Sequence, residues 1–252
     1  LPTTFWSDQR LGVALDTDTL WIAMDGGGGV SGVYQNPVNT RLNLQFKGHA
    51  LTTWKIIYQV TAEKQSFIVG LDAACLEGAT DVVTSSVRIT DQANANPFFL
   101  AYNLECPVQS GTSVFNKPKV LNPLDKLGVI ASHANRIDYF GTAVETMDEK
   151  LFYRYVNLTN DTEVTLTGVS PYKVNIFSLV VTNKSSQFAL PINIRFIAGG
   201  YSAMWASSVS VPMAGSLEII SSERVLFAGQ EIKIQTSVLG KIDVALFGRV
   251  IP

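Results

Sequence analysis

Charge is scarce in this chain: 16% of its 252 residues are Asp, Glu, Lys or Arg, against the usual quarter. Nowhere do four Lys or Arg residues stand together, and the net charge is −2. That balance speaks against the basic footprint of a nucleic-acid binder. Histidine occurs only at His49 and His133, so a histidine metal site would need both, with carboxylates brought in by the fold. Two cysteines, Cys75 and Cys106, lack metal-ligand spacing and are too few for a disulfide-stapled scaffold, though one disulfide stays open. No apolar run approaches the roughly 20 residues of a membrane helix, and no membrane insertion is expected. Leu1-Pro2-Thr3-Thr4 has neither the charged start nor the apolar run of a signal peptide. The missing initial methionine reads as a processed product, a trimmed chain or the loss of the first residues.

Catalytic signatures are missing as well. HExxH, CxxC and Walker sequences do not occur. The tetraglycine from Gly26 to Gly29, opened by Asp25, is followed by no Gly-Lys-Ser/Thr, so it reads as a loop or an arm between subunits. Gly200-Tyr201-Ser202-Ala203-Met204 comes nearest to a nucleophile elbow but lacks the second glycine and a following helix. Asp16, Asp18 and Asp25 lie close enough to supply oxygen ligands to calcium, yet without EF-hand order, and read as loop aspartates. His49 reads as a solvated histidine at a strand end. Of the tryptophans, Trp54 reads as core, while Trp6 and Trp205 are the candidates for a sugar platform or a subunit contact; Trp21 lies in a short strand. The sequons at Asn157, Asn160 and Asn183 read as chance tripeptides in Thr/Asn-rich turns. No catalytic, cofactor-binding or metal-ligating residue is assigned, no cofactor is expected, and the chain is expected not to be an enzyme.

What the chain does have is period-two alternation, the mark of strands with one buried face. Leu42, Leu44 and Phe46 share a face of residues 41–47. Trp54, Ile56, Tyr58 and Val60 do so next, followed by Phe67, Val69 and Leu71. Beyond Leu151 the pattern persists, with Phe177, Leu179 and Val181 on one face and Ile192, Ile194 and Phe196 on another. Turn residues recur at roughly the 8 to 12 residue spacing of sandwiches and barrels. Leu124 to Ile130 and Ala143 to Leu151 predict one or two short helices. With no repeat, low-complexity segment or linker composition, an all-β antiparallel sandwich is expected as a single domain over 1–252. Its N-terminal arm, about 1–38, is expected to be irregular.

One stretch carries a resemblance. Thr53-Trp54-Lys55-Ile56-Ile57-Tyr58-Gln59-Val60, then Ser66-Phe67-Ile68-Val69-Gly70-Leu71-Asp72, resembles the paired C and D strands of picornavirus-like icosahedral coat proteins, nearest the plant comovirus and nepovirus group. The ending Leu246-Phe247-Gly248-Arg249-Val250-Ile251-Pro252 is similar to the aromatic-Gly-Arg tail of some of those proteins. The resemblance implies an eight-stranded jelly roll with long loops, serving as a structural subunit of an icosahedral viral capsid around a single-stranded RNA genome. It implies sister capsid subunits as homo- and hetero-oligomeric partners, genomic RNA on the inner face, and residence in the virion after assembly in the host cytoplasm. The chain departs from many coat proteins in lacking a basic arm, which puts RNA packaging by this subunit in question. The other reading, a carbohydrate-binding or adhesin-like β-sandwich, rests on the tryptophans and the tetraglycine loop.

Overall fold

The structure, a computed structural model, describes residues 15–16, 19–20, 41–76, 82–92, 97–115, 117–147, 150–158, 162–166, 172–220, 222–237 and 241–251. Among them every regular element is a strand. The first half supplies β1 (Leu15–Asp16), β2 (Thr19–Leu20), β3 (Arg41–His49), β4 (Lys55–Gln59), β5 (Gln65–Cys75), β6 (Val83–Thr90), β7 (Pro97–Cys106), β8 (Gly111–Phe115), β9 (Lys119–Leu121), β10 (Lys126–Ala131) and β11 (Ile137–Thr146). The second half supplies β12 (Leu151–Leu158), β13 (Val164–Thr165), β14 (Lys173–Asn183), β15 (Leu190–Ala198), β16 (Tyr201–Val211), β17 (Gly215–Glu218), β18 (Arg224–Leu226), β19 (Glu231–Thr236) and β20 (Ile242–Ile251). Most of the expected arm lies outside the described residues.

The strands form four sheets, two from each half. In the first half β3-β11-β5 continues into β8 and β9, with β1 and β2 added at the β3 edge, and it faces β4-β10-β6-β7. Taking β8 and β9 as one interrupted strand and counting from β3, the orders are first-eighth-third-sixth and second-seventh-fourth-fifth. This is the jelly-roll order. The second half repeats it: β12-β20-β14 with β17 and β18 faces β13-β19-β15-β16. Every pairing is antiparallel except the single contact of Thr19 with Asn43 between β2 and β3. The expected jelly roll therefore occurs twice, a repeat that the sequence does not display. Each roll has its own core. One is built on Phe46, Ile68, Leu71, Leu127 and Ile137, the other on Leu158, Ile176, Leu179, Ile192 and Ile234.

Three β-bulges shift the faces read from alternation, because one extra residue reverses the parity of all that follow it. Between β4 and β10, Tyr58 pairs with Leu127 and Ile56 with Gly128, leaving Ile57 as the extra residue. Ile57 is consequently buried while Ile56 is 43% exposed, and Trp54 is half-buried and not a core anchor. Its ring instead lies under the Arg88 guanidinium, at 3.8 Å, and edge-on to Phe99. In β5 the bulge falls at Val69, so Ile68 and Leu71 point inward and Val69 outward. In β14 it falls at Phe177, which separates that ring from Leu179 and Val181.

Two further expectations are corrected. Leu124 to Ile130 is no helix: Lys126–Ala131 runs as a strand bonded on both sides, with Leu127 and Val129 fully enclosed. The described residues of Ala143 to Leu151 form no helix either: Ala143 to Thr146 complete β11 between β3 and β5, and Leu151 opens β12. In both places ladder pairing on two edges overrides local helix propensity. The stretches 53–60 and 66–72 are not a bonded pair, since β4 and β5 belong to facing sheets.

Candidate functional site: the seam between the rolls

Strands β14 and β20 form the centre of a seam because they are buried on both faces. Along β20, Ile242, Val244 and Leu246 enter the second core, while Ala245 and Phe247 enter the first. β14 divides likewise, with Val174, Ile176, Leu179 and Val181 against Phe177 and Val180. Such strands read as near-continuous apolar runs. Across the seam Phe67 meets Phe177 edge-on at 5.1 Å between centroids, and Phe98 stacks on Tyr155 at 4.6 Å. The Tyr155 hydroxyl donates to the Val120 carbonyl at 3.1 Å, and Thr182 Oγ1 donates to the Phe99 carbonyl at 3.0 Å.

A charged latch sits among these rings. The side chain of Lys119, from β9, is fully enclosed, and its Nζ donates to Ser178 Oγ at 2.6 Å and to Glu218 Oε2 at 2.7 Å. Glu218 Oε1 in turn accepts the Leu179 N–H at 2.8 Å. Burial pulls the Lys119 ammonium below its ordinary pKa, while the Glu218 carboxylate opposes that shift. The Phe115 and Phe247 rings lie 5.2 and 5.6 Å from Nζ. A second pair, Lys184 Nζ to Asp243 Oδ1 at 2.6 Å, closes one end, where Asn157 Nδ2 also donates to that oxygen. Nothing in the sequence patterns marked these polar residues, since only the fold brings residues 119, 178 and 218 together.

The residues singled out from sequence do not converge. His49 is exposed and bonds Asp138 through Nδ1; His133 is exposed and contacts Ser132 Oγ at 3.0 Å. Ser202 lies exposed in β16, after a turn at Gly199 and Gly200 whose φ values of +53° and +84° suit glycine. Trp205 is half-buried and packs on the second core. Asn183 is fully buried, its Nδ2 donating to the Phe188 and Val211 carbonyls, and Asn157 is engaged by Asp243. Neither presents a free glycan acceptor. Cys75 and Cys106 are buried free thiols from facing sheets, and burial pushes the Cys106 thiol up. Asp16 lies in β1, whereas Trp6, Trp21, Asp18, Asp25, the tetraglycine and Asn160 lie outside the described residues. Among the described residues no three His, Cys, Asp or Glu side chains are grouped to hold a metal ion, and no helix is long and apolar enough to cross a membrane.

One open groove, of about 450 Å³, crosses the outer face of the first roll. Lys47, Asp72, Asp138, Ser113 and the exposed Phe140 line it.

No family model matches the sequence, and no curated protein matches it. Among solved structures the chain is similar to the major capsid protein P2 from bacteriophage PM2, at 10% identity and TM-score 0.33, covering 84% of this chain and 98% of that one. It is also similar to the STIV MCP, at 7% identity and TM-score 0.25, covering 82% and 96%. A third likeness is to the N-terminal CBM22 tandem domain from Paenibacillus barcinonensis Xyn10C, at 11% identity and TM-score 0.25, covering 82% and 86%. Likenesses this distant transfer neither partner nor activity to the chain, whose architecture is an all-β pair of antiparallel jelly-roll sandwiches.

Proposed function

We propose that this chain is a structural subunit of a viral capsid, a paired-roll block that assembles with copies of itself and with sister subunits. The observation that carries the reading is the seam: two jelly rolls of one strand order are joined through shared apolar packing and an ion pair whose lysine is enclosed. A block joined in that way suits load-bearing assembly, in which function is binding and not catalysis. Jelly rolls serve shells and lectins alike, so the fold by itself does not choose. Large apolar side chains exposed on both rolls, among them Phe140, Phe188, Tyr201 and Met204, favour burial against neighbours. An icosahedral virion enclosing single-stranded RNA, kinship with picornavirus-like coat proteins, and assembly in the host cytoplasm belong to the same proposal. So does the reading of the chain as a single domain, two rolls that fold together.

Electron microscopy of the expressed chain, alone and with sister chains, tests this. Closed shells or regular capsomers support it, and a monomer that associates with nothing overturns it. The groove beside Phe140, with its two carboxylates and a lysine, favours the carbohydrate-binding alternative. Glycan-array binding lost on Phe140→Ala would establish that alternative, and a blank array removes it.

A further inference from the structure

An amine, a carboxylate and a side-chain amide meet at one end of the seam. Asn157 of β12 pairs with Asp243 of β20, and Asp243 with Thr182 of β14, so these three stand in one row across the sheet. Lys184 follows Thr182 by two residues, just past the end of β14. Two residues along the same face come Tyr155, Ala245 and Val180, of which Ala245 and Val180 belong to the first core. The row is therefore on the face turned to the first roll. The Asp243 side chain is 2% exposed and that of Lys184 24%. Lys184 Nζ and Asn157 Nδ2 both donate to Asp243 Oδ1, each at 2.6 Å. Two donors held on one oxygen are neighbours, so the amine and the amide lie side by side. Asn183, next to Lys184, commits its own amide to the Phe188 and Val211 carbonyls, so Asn157 is the amide offered to the amine. Asp243 Oδ2 is buried and has no hydrogen-bond partner among the described residues.

We propose that this cluster is a self-modification site, at which Lys184 and Asn157 join through an amide and so clip β12 to β14 across β20. Lysine amines are nucleophiles once deprotonated, and a positioned carboxyl moves the protons. Lys184 Nζ passes one proton to Asp243 and attacks Asn157 Cγ with the lone pair so exposed. The Nζ–Cγ bond forms and the Cγ–Nδ2 bond breaks. Nδ2 takes a second Nζ proton by way of Asp243, then the proton Asp243 first received, and leaves as ammonium. Asp243 ends as the carboxylate it was, and the third Nζ proton stays on the new amide. Water, oxidant and cofactor take no part. Holding the reactants side by side replaces the encounter that makes such a reaction slow in solution. An ion pair with no other role leaves Asp243 Oδ2 buried without a donor, which is costly; as the oxygen that holds the travelling proton, it has a use. The event is a single turnover on the chain itself, independent of the capsid reading.

Intact-mass spectrometry of the full chain tests this. The parent is expected about 17 Da below the mass of its sequence, the loss of one ammonia. A tryptic digest is expected to hold one branched peptide in which Asn157 is joined to Lys184. Asp243→Asn has no carboxyl to carry the proton, and Lys184→Arg has no amine to attack; each is expected at full mass. Lys184→Arg keeps a cation beside Asp243, so a cooperative melt of that variant separates lost chemistry from lost structure. A parent at full mass overturns the assignment, whatever the variants do. So does a loss that persists in Lys184→Arg, as succinimide formation at an asparagine would give, or a branch that joins other residues. Particle formation is read separately by electron microscopy, so a cross-linked chain that forms no shell, or the reverse, fails only one of the two readings.

Discussion

Lys119 shows how one side chain joins two rolls. It is fully enclosed, and its charge is tolerated because Ser178 and Glu218 receive it. Glu218 is 24% exposed, so the costly change is the one that strands the enclosed ammonium, at about 3 kcal/mol or more. Glu218→Leu is therefore expected to lower stability in urea by about that amount, and Glu218→Leu with Lys119→Met to regain most of it. If the double variant is as weak as the single, the pair contributes more than its own compensation. Asp125 offers a pH test. Its carboxylate accepts the N–H groups of Gln92 and Asn122 at 2.9 Å each, yet burial outweighs them, with Asp91 adding to the effect, and raises the pKa to about 6. A carboxyl raised above its unfolded value, near 3.9, stabilises the fold while it is protonated. That contribution is full below about pH 4 and fades as the pH rises through about 6. The stability of the parent relative to Asp125→Asn should therefore grow as pH falls from 7 to 5; a constant difference would contradict this origin.

At the scale of elements, the bulges decide which apolar residue is core. Ile57→Ala is expected to cost about 2 to 4 kcal/mol, and Ile56→Ala less than about 1; equal losses would mean that β4 pairs with β10 without the extra residue. Phe177→Ala should cost about 3 kcal/mol or more, since its ring fills the space between the rolls against Phe67. These positions also mark where the sequence stops being legible. Alternation located many of the strands, from Leu42, Leu44 and Phe46 in β3 to Ile192 and Ile194 in β15, but none of the four from β8 to β11. Its phase failed wherever a bulge inserted one residue, as at Ile57, Val69 and Phe177, because a bulge leaves no mark in an apolar run. The helix-like stretch from Ala143 to Leu151 failed for another reason. Glu145, a helix former by propensity, is held in a strand by Tyr58 and by the Thr61 N–H at the end of the roll.

The whole molecule is a repeat of strand order without a repeat of sequence. Long-range pairing fixes the order in each roll, and only burial pattern passes from one half to the other, so residue identities conceal the duplication. The same is true of the seam, whose residues lie far apart in the chain and are joined by no spacing rule. Two rolls that share the first core through Phe177, Val180, Ala245 and Phe247 should unfold together. Calorimetry is expected to give one transition whose calorimetric and van't Hoff enthalpies agree, whereas two separated transitions would mean that the rolls are independent. The proposed capsid role would draw on the exposed apolar residues of both rolls and is expected to bury interfaces of about 1,200 Å² or more. Sedimentation velocity of the intact chain across a hundredfold range of concentration decides whether it is a building block. Discrete, concentration-dependent species culminating in closed particles are expected, and a single monomer peak at every concentration, with and without sister chains, would contradict the proposal.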